Sequence, residues 1–448
     1  MKKPLLRLGV LGAMAAAACS DAAGPNGTVE SVVVAPANGS LLVGDTTRLV
    51  AAALDADGKP LLNQAIEWAS SDPSVATVSD AGLITAIAAG SVAIYAASGT
   101  HADSAVVAVV QPLIAAQIIA GQSFTCSVDS QGTAYCWGDN LFGQLGANLV
   151  SGRIKRATLV AGGLSWSSLF AGLHHACGLT NAGAAYCWGG NFFGEIGDST
   201  RSNNRIAPTA VLGPPVTALA LGYSTSCGIT PTGVRCWGGN FVAGYTGPPA
   251  LLTLSGGESH LCGLVSGGRA YCWGGNFHGE VGDSSQASQS LPVAVAGARA
   301  FTALSSGSYS NCGLVAGGAA YCWGYNIFGQ VGDGTLTDQL VPVAVSGGLF
   351  FTAISVGYFH ACGVTTEGLA YCWGNNTNGQ LGDGSGDDSA VPVPVAGGLR
   401  FTTLSAGVNH TCGITDSARV YCWGSNEAGQ LGDNTSFPRP TPVPAIAP

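Results

Sequence analysis

Apolar and polar residues alternate in short runs between residues 28 and 111, and this alternation predicts β-strands rather than helices. The clearest runs cover residues 32–34, 47–53, 75–78 and 106–110. Turn-forming pairs such as Asp57-Gly58 separate these runs. Short strands joined by tight turns predict a small β-sandwich for this region.

From residue 112 to residue 448 a single pattern recurs seven times and predicts a different architecture. Each copy contains Gly-x-x-x-x-Cys, a turn that includes glycine in six of the seven copies, Tyr/Arg-Cys-Trp-Gly-x-Asn and a glycine loop, and several copies end in Pro-Val-x-Val. The copies recur about every 50 residues, apart from a shortened third copy, which is typical of one small antiparallel sheet per repeat. The predicted fold class is therefore all-β, a seven-bladed β-propeller behind an N-terminal β-sandwich.

The cysteines of the repeats are predicted to form disulfides within hairpins. In the second copy, a turn at Asn181-Ala182-Gly183 places Cys177 opposite Cys187, where a cross-strand disulfide is geometrically possible. Cys19 is the only cysteine outside the repeats. The full set of predicted pairs is Cys126 with Cys136, Cys177 with Cys187, Cys227 with Cys236, Cys262 with Cys272, Cys312 with Cys322, Cys362 with Cys372, and Cys412 with Cys422.

The proline-containing strands, with Pro342 and Pro392 as examples, are predicted to form the outer edge of each sheet, because proline lacks a donor for the strand ladder. The repeated region begins with a strand at residues 115–120 and ends with an unpartnered segment at residues 442–446. Pairing of this last segment with the sheet of the first repeat is expected to close the ring and hide two edges.

Two family resemblances support this division. Residues 28–111 resemble the bacterial Ig-like group 2 domain through Val43-Gly44-Asp45, Trp68-Ala69-Ser70-Ser71-Asp72-Pro73 and Gly82-Leu83-Ile84-Thr85-Ala86. The resemblance implies a spacer or adhesive module on a cell surface. Residues 112–448 resemble the regulator of chromosome condensation repeat through the Gly-x-x-x-x-Cys and Cys-Trp-Gly-x-Asn motifs. That resemblance implies a seven-bladed propeller, and the cysteine pairs, which cytoplasmic members do not need, fit an exported version.

Residues 1–18 are expected to be an export signal, because basic residues precede an apolar run that is too short to span a bilayer. The run ends in Ala16-Ala17-Ala18-Cys19, which resembles the cleavage box of bacterial lipoproteins, and Cys19 is the expected site of lipid attachment. Residues 19–27 would then form the anchor and linker. The alternative is ordinary signal-peptide cleavage, which would leave a secreted protein.

Composition narrows the choice of partner. The chain carries 16 basic residues against 25 acidic ones, so nucleic acid is not expected as a partner. Only 9% of the residues are charged and 68 are glycine, a composition typical of short strands and tight turns. Export would place the cysteines where disulfides persist.

Two residue types recur at the same position in every copy and are predicted to support the scaffold. The tryptophan is expected to pack between sheets, and the asparagine is expected to cap the glycine loop with its side chain. The positions are Trp137, Trp188, Trp237, Trp273, Trp323, Trp373 and Trp423, with Asn140, Asn191, Asn240, Asn276, Asn326, Asn376 and Asn426.

Two patterns suggest metal ligands but are predicted to be structural. Histidine precedes the first cysteine by two residues in four copies, as His175, His260, His360 and His410. A zinc site usually has closer cysteine pairs and needs four ligands, so hydrogen-bonded structural histidines are predicted. The acidic segments 333–338 and 383–388 lack the spacing of a recognised calcium loop and are predicted to be solvated turns. No cofactor, metal or catalytic residue is predicted.

The two residues between Asn and Gly in Trp-Gly-x-Asn-x-x-Gly vary around the ring and are the predicted binding position. The predicted partner-binding residues there are Phe142, Phe192, Phe193, Phe241, Phe277, His278, Ile327 and Phe328. If exposed, these side chains would form an arc suited to a protein partner. The alternative is that the rings pack beneath their own loops.

Basic residues concentrate in the first two copies and acidic residues in the last three, which predicts a bipolar face that would orient a partner. The basic residues predicted to take part in binding are Arg153, Lys155, Arg201 and Arg205. The shortened third copy lacks the Gln/Glu-x-Gly-Asp loop and is expected to leave a notch beside the arc.

The sequence therefore predicts an exported, non-enzymatic binding or adhesion protein of the cell surface. An Ig-like stalk would present a disulfide-linked propeller that recognises a protein or glycan through one loop face. A lipid anchor at Cys19 would provide the membrane contact. Two alternatives stay open: a regulator similar to guanine-nucleotide exchange factors, which would require a cytoplasmic GTPase, and a carbohydrate-active enzyme with its site in the central channel.

Overall fold

The computed structural model describes residues 27–150, 152–239 and 244–448. The regular elements of these residues are β-strands, and no helix among them has the length and apolar character that a membrane span requires. The chain divides into two compact units between Pro112 and Leu113. The predicted export signal, the lipid-attachment residue Cys19 and nearly all of the linker lie outside the described residues.

The first unit is a small β-sandwich. Its strands are β1 (Ser31–Ala35), β2 (Asn38–Leu42), β3 (Thr46–Arg48), β4 (Val50–Leu54), β5 (Glu67–Ser70), β6 (Ala76–Val78), β7 (Leu83–Ala86), β8 (Gly90–Ser98) and β9 (His101–Val110). Strands β2, β9, β8 and β5 form one sheet, β3, β7 and β6 form another, and β1 pairs with β4. Alternate residues of β8 and β9 face the core, where Val92, Ile94 and Val107 are buried. This one-sided burial explains the alternating sequence pattern.

The second unit contains seven four-stranded sheets, each built from four consecutive antiparallel strands. Blade 1 consists of β10 (Gln117–Ala120), β11 (Phe124–Val128), β12 (Ala134–Asp139) and β13 (Arg153–Leu159), blade 2 of β14 (Trp166–Ala171), β15 (His175–Thr180), β16 (Ala185–Gly189) and β17 (Arg205–Ala210), and blade 3 of β18 (Leu219–Leu221), β19 (Thr225–Thr230), β20 (Gly233–Gly238) and β21 (Tyr245–Thr246). Blade 4 consists of β22 (Ser255–Gly256), β23 (His260–Leu264), β24 (Ala270–Gly274) and β25 (Gln289–Ala294), and blade 5 of β26 (Phe301–Ser306), β27 (Ser310–Val315), β28 (Ala320–Gly324) and β29 (Gln339–Ala344). Blade 6 consists of β30 (Phe351–Val356), β31 (His360–Thr365), β32 (Ala370–Gly374) and β33 (Ser389–Pro394), and blade 7 of β34 (Phe401–Ala406), β35 (His410–Thr415), β36 (Val420–Gly424) and β37 (Arg439–Pro444). All seven blades contribute residues to one central channel. The predicted seven-bladed propeller is confirmed.

The two middle strands of each blade form the hairpin that carries a cysteine pair. Cys177 lies opposite Cys187 in the register of β15 and β16, and the other six pairs are aligned in the same way. The predicted hairpin disulfides are therefore present in all seven blades. They join Cys126 to Cys136, Cys177 to Cys187, Cys227 to Cys236, Cys262 to Cys272, Cys312 to Cys322, Cys362 to Cys372, and Cys412 to Cys422.

The proline-containing strands lie at the edges of their sheets. Pro342 and Pro392 belong to β29 and β33, which are the last strands of blades 5 and 6. Each of these strands pairs with one neighbour only, so a missing N–H on the other side interrupts no ladder. The predicted edge position of these strands is confirmed.

A tryptophan links each blade to the blade before it. The Trp188 indole N–H donates to the carbonyl oxygen of Gln144 at 2.9 Å, and that of Trp373 donates to Gln330 at 3.0 Å. Trp137 makes the same bond to Gln430, which joins blade 1 to blade 7. The bond satisfies the polar end of a ring that fills the space between sheets, so this residue has the scaffold role predicted for it.

Closure of the ring differs from the prediction. Strand β37 belongs to the sheet of blade 7 and not to that of the first repeat. The segment before β10 adds to blade 7 instead, because the Leu113 N–H donates to Ala445 and the Leu113 carbonyl accepts the Val420 N–H, both at 3.0 Å. The predicted pairing is wrong because β37 finds its partner in its sequence neighbour, β36, and is not free to cross to blade 1.

Because adjacent strands are antiparallel, the loops of each blade alternate between two faces of the ring. The loops between the first and second strands and between the third and fourth strands share one face, which we call the upper face; the other connections lie on the lower face. A Cβ on Gly222 would lie 2.5 Å from the Gly257 oxygen, so glycine permits a close approach of neighbouring blades here. The upper end of each inner strand carries such an axial glycine: Gly121, Gly172, Gly222, Gly257, Gly307, Gly357 or Gly407.

Candidate binding face

In the six blades whose invariant asparagine lies among the described residues, this side chain holds the loop between the third and fourth strands. In blade 5, the Asn326 side-chain oxygen accepts the N–H of Val331 at 2.9 Å, and its amide donates to the Thr335 carbonyl at 3.1 Å. The Gln330 side chain accepts the N–H of Phe328 at 3.0 Å. Asn326 is fully buried, and these bonds satisfy its polar atoms. The network supports the variable pair, which we call the tip pair, on the upper face.

The two members of the tip pair differ in exposure. The second member is half-buried at Phe142, His278 and Phe328, whereas Phe193 is 47% exposed. Phe241 lies outside the described residues. The sequence analysis left two alternatives, an exposed arc of side chains and rings packed beneath their loops. In most of the described apolar pairs the first member is exposed and the second is packed. The first member is exposed in the four blades where it is apolar and described: Leu141 (60%), Phe192 (43%), Phe277 (74%) and Ile327 (51%).

The half-buried rings pack against side chains of the loops between the first and second strands. The ring centroids of Phe142 and His174 lie 4.8 Å apart, and those of Phe328 and Phe359 lie 4.9 Å apart. A larger group, which we call the aromatic cluster, contains His278, Tyr309, Tyr325, Phe328, Tyr358 and Phe359. Neighbouring centroids within it are 4.3 to 6.2 Å apart. The aromatic surface thus spans two rows of loops and three blades.

Sequence reasoning missed the inner row. Tyr223, Tyr309, Tyr358 and Phe359 follow the axial glycines within Gly-x-x-x-x-Cys. The two positions after that glycine vary around the ring as widely as the tip pair does. The comparison of copies that singled out the tip pair would have found these residues if it had been applied to this segment.

The residue that follows each axial glycine surrounds the mouth of the central channel. These residues are Gln122, Leu173, Tyr223, Glu258, Ser308, Tyr358 and Val408. Burial raises the pKa of Tyr309, and the hydrogen bond to Tyr358 and the neighbouring Glu258 carboxylate add to this effect. Burial also raises the pKa of Tyr358. Both phenols therefore stay protonated at neutral pH and present uncharged rings beside one carboxylate.

The four basic residues predicted to take part in binding differ in exposure and in their contacts. Three of them are exposed: Arg153, Lys155 and Arg201. Arg205 instead pairs with Asp198 inside its own blade, with 2.6 Å between Nε and Oδ2. The Arg153 guanidinium donates to the carbonyl oxygen of Glu427 in blade 7 at 2.8 Å. Ring closure therefore places the basic strand of blade 1 beside blade 7, and the bipolar face stays a prediction.

The four histidines of the repeats are buried and bonded to the following blade. His360 Nε2 lies 2.8 Å from the Thr411 hydroxyl oxygen, and that hydroxyl donates to the Gln380 carbonyl at 3.0 Å. Since the hydroxyl hydrogen is already used, Nε2 carries the ring proton. Burial lowers the pKa of His175, His360 and His410 to about 3. These neutral rings are hydrogen-bond donors, in agreement with the predicted structural role.

The acidic segments hold their own loops together. Asp333 accepts the backbone N–H of Thr335 at 2.9 Å and the side-chain amide of Gln339 at 2.8 Å. Asp383 likewise accepts the N–H of Ser385 at 3.0 Å. Across the described part of the chain, no group of three or more His, Cys, Asp or Glu side chains is placed to hold a metal ion. The carboxylates of these turns have a structural role.

Blade 3 is the least regular blade. Its outer strand, β21, has only two residues. The ring of Tyr245 in this strand packs edge-on against Trp273 of blade 4, with centroids 5.5 Å apart. The tip of the preceding loop, where the notch was predicted, falls in residues 240–243, outside the described residues.

Comparison with known families agrees with this geometry. The bacterial Ig-like domain (group 2) matches residues 28–109. The regulator of chromosome condensation (RCC1) repeat matches residues 115–144, 166–195, 253–280, 301–330, 351–380 and 401–430, and a second description of this repeat matches residues 317–364, 367–414 and 417–447. The fold and its loop-bearing face thus define a propeller of the RCC1-repeat class. The chain belongs to the regulator of chromosome condensation repeat family and carries a bacterial Ig-like domain before its propeller.

Individual relatives align over part of the chain. The ultraviolet-B receptor UVR8 of Arabidopsis thaliana is 28% identical over 200 residues, which are 40% of this chain and 45% of the receptor. The probable E3 ubiquitin-protein ligase HERC4 of Rattus norvegicus is 26% identical over 204 residues, which are 40% of this chain and 19% of the ligase. Each alignment covers less than half of the relative.

Solved structures show the same fold at low identity. Human WBSCR16 is 17% identical with a TM-score of 0.65, over 70% of this chain and 95% of that protein. Yeast RCC1 (Prp20), in a structure with Kap60, is 19% identical with a TM-score of 0.62, over 73% of this chain and 85% of that chain.

Proposed function

We propose that this chain is an extracytoplasmic binding protein whose propeller recognises a protein partner through its upper face. One observation carries the proposal: large apolar side chains are exposed together at the loop tips, namely Leu141, Phe192, Phe193, Phe277 and Ile327. Exposed apolar residues gathered on one face, among polar loops, are typical of a protein contact. A glycan is the other ligand that could stack on such rings, and the experiment below separates the two.

Disulfides and domain composition support an extracytoplasmic location. Seven disulfides within the propeller would persist in an oxidising compartment and would be exposed to reduction in the cytoplasm. The Ig-like unit would act as a stalk, and lipid attachment at Cys19 would hold the protein on a membrane surface. A protein in this location would not meet a cytoplasmic GTPase, so the location argues against guanine-nucleotide exchange activity.

The fold and the channel favour binding over catalysis. The yeast RCC1 structure is a complex with Kap60, so a propeller of this fold can hold a protein partner. Glu258 is the one carboxylate among the described residues that line the channel mouth, whereas glycoside hydrolysis ordinarily uses a pair of carboxylates. Recognition through the loop face is therefore the function that this arrangement supports best.

The proposal can be tested by affinity capture with the full, oxidised chain. The chain is immobilised, envelope and medium fractions of the producing cells are passed over it, and bound proteins and glycans are identified. Replacing Phe193, Phe277 and Ile327 together with serine removes three exposed tip side chains without opening the core. We expect the affinity for the partner to fall at least about a hundredfold, because central apolar anchors often contribute about 1 kcal/mol or more each.

Phe350→Ser is the matched control. Phe350 is 55% exposed, but it lies between β29 and β30 on the lower face. We expect this variant to retain the partner. Equal loss in the control and the tip variant, or retention of the partner by both, would contradict recognition through the upper face. Recovery of a glycan alone, lost in the tip variant, would replace the protein partner by a glycan.

A further inference from the structure

Glu258 is a charged residue at a position where the fold does not require charge. The corresponding residues in the other blades are Gln122, Leu173, Tyr223, Ser308, Tyr358 and Val408. All seven blades form with these different side chains, so a carboxylate is not needed for packing here. Glu258 lies at the mouth of the channel, on the same face as the exposed tip residues, with Tyr309 and Tyr358 beside it. This placement points to a ligand.

One oxygen of this carboxylate lacks a well-placed donor among the described residues. Glu258 Oε2 is buried and accepts no hydrogen bond of normal geometry from that part of the chain, although the hydroxyls of Tyr309 and Tyr358 lie near enough to interact with the carboxylate. No lysine or arginine occurs among the described residues that line the mouth. The hydroxyl oxygens of Tyr309 and Tyr358 lie 3.4 Å from each other. A buried carboxylate oxygen without a donor is unfavourable, and a bound cation would supply the missing contact.

The surroundings favour an organic cation over a metal ion. Calcium prefers about six to eight oxygen ligands, but the described lining of the mouth offers a single carboxylate. Tyr223, Tyr309 and Tyr358 instead contribute aromatic rings, which attract ammonium and guanidinium groups. The net charge of −9 favours approach of a basic partner.

We propose that the channel mouth receives one basic side chain, arginine or lysine, from the protein partner of the upper face. The cation pairs with Glu258 and lies against the rings of Tyr309 and Tyr358, while the apolar tip residues contact the partner surface around it. The identity of the donor rests on the proposed function, but the pocket can be tested by itself with small cations.

The probes are N-acetyl-arginine methylamide and N-acetyl-lysine methylamide. Each is compared with an uncharged counterpart of similar shape, N-acetyl-citrulline methylamide and N-acetyl-norleucine methylamide. Binding to the full, oxidised chain is measured by saturation-transfer NMR and titration. We expect at least one charged probe to bind about fivefold or more tightly than its counterpart, as for a partly desolvated cation beside aromatic rings.

Two isosteric variants test whether Glu258 is responsible for the preference for the charged probe. Glu258→Gln keeps the shape of the side chain and is expected to abolish the preference for the charged probe. Glu427→Gln removes an exposed carboxylate from a tip pair on the same face and is expected to retain the preference. Equal binding of charged and neutral probes, absence of binding by all four, or a preference that survives in Glu258→Gln would overturn the inference.

Partner capture distinguishes failure of this inference from failure of the proposed function. If Glu258→Gln still holds a partner that the tip variant loses, the binding face is supported and the basic side chain is not. If the wild-type chain discriminates between the probes but captures no protein, the cation pocket is supported and the proposed protein partner is not.

Discussion

The buried histidines show how a single side chain can join two blades at the residue scale. His360 Nε2 donates to Thr411 in the next blade, while its Nδ1 is buried without a partner among the described residues. Protonation of Nδ1 would place an uncompensated charge and an unused donor beneath the axial loop. This cost explains why burial holds the pKa of His360 at about 3.

These histidines are expected to make the propeller sensitive to acid. The pKa of His175, His360 and His410 is about 3 in the folded chain, compared with about 6.5 in the unfolded chain. The unfolded chain therefore binds more protons as pH falls below about 6.5, and the free energy of unfolding decreases. Each histidine should account for a loss on the order of 2 kcal/mol between about pH 7 and pH 5.

Urea denaturation across this pH range measures the effect. His360→Thr introduces the residue that Thr225 provides at the same position in blade 3. It should reduce the number of protons taken up on unfolding, which sets the pH slope of the free energy of unfolding, by up to one. A variant with the same slope as the wild-type chain would show that His360 is not the group that takes up the proton.

At the element scale, six of the seven blade junctions join a tryptophan of one blade to a glycine of the loop of the preceding blade, whereas Trp273 of blade 4 packs against Tyr245. A Cβ on Gly332 would lie 2.6 Å from the indole nitrogen of Trp373. The scaffold roles of these residues could be predicted from the sequence, because the same tryptophan and asparagine recur at the same spacing in every copy. It could not reveal contacts such as Phe328 with Phe359, since these residues meet across two blades and occupy different positions in their repeats.

Two neighbouring glycines allow the junction to be tested. Gly332 and Gly334 both have positive φ, +77° and +87°, but the nearest atom to a Cβ on Gly334 would be 3.7 Å away. Alanine at either position should cost about 1 kcal/mol through backbone strain. Gly332→Ala should cost about 1 to 3 kcal/mol more, because its methyl group meets Trp373. Equal denaturation midpoints for the two variants would argue against tight packing at this junction.

At the scale of the whole molecule, local pairing was predictable and the contacts made by ring closure were not. The four strands of each blade are sequence neighbours, so seven sheets and seven hairpin disulfides follow from the repeats. Contacts between the two ends of the propeller form only when the ring closes. The bond from Arg153 to Glu427 and the insertion of Leu113 into blade 7 are two such contacts. Variation at the residue after each axial glycine is visible in the sequence, but the meeting of these seven residues, Glu258 among them, at one channel mouth follows only from the closed ring.

Closure can be tested at two adjacent residues of the segment that enters blade 7. Leu113 is 3% exposed and Ile114 is 44% exposed. Leu113→Ala should lower the free energy of unfolding of the propeller by about 2 to 4 kcal/mol and speed amide exchange at Val420, whose N–H donates to Leu113. Ile114→Ala should change it by no more than about 0.5 kcal/mol. Equal effects of the two variants, or unchanged protection of Val420, would contradict closure through Leu113. If the last strand instead closed the ring on blade 1, Leu113 would have no place in blade 7 and its truncation would leave Val420 unaffected.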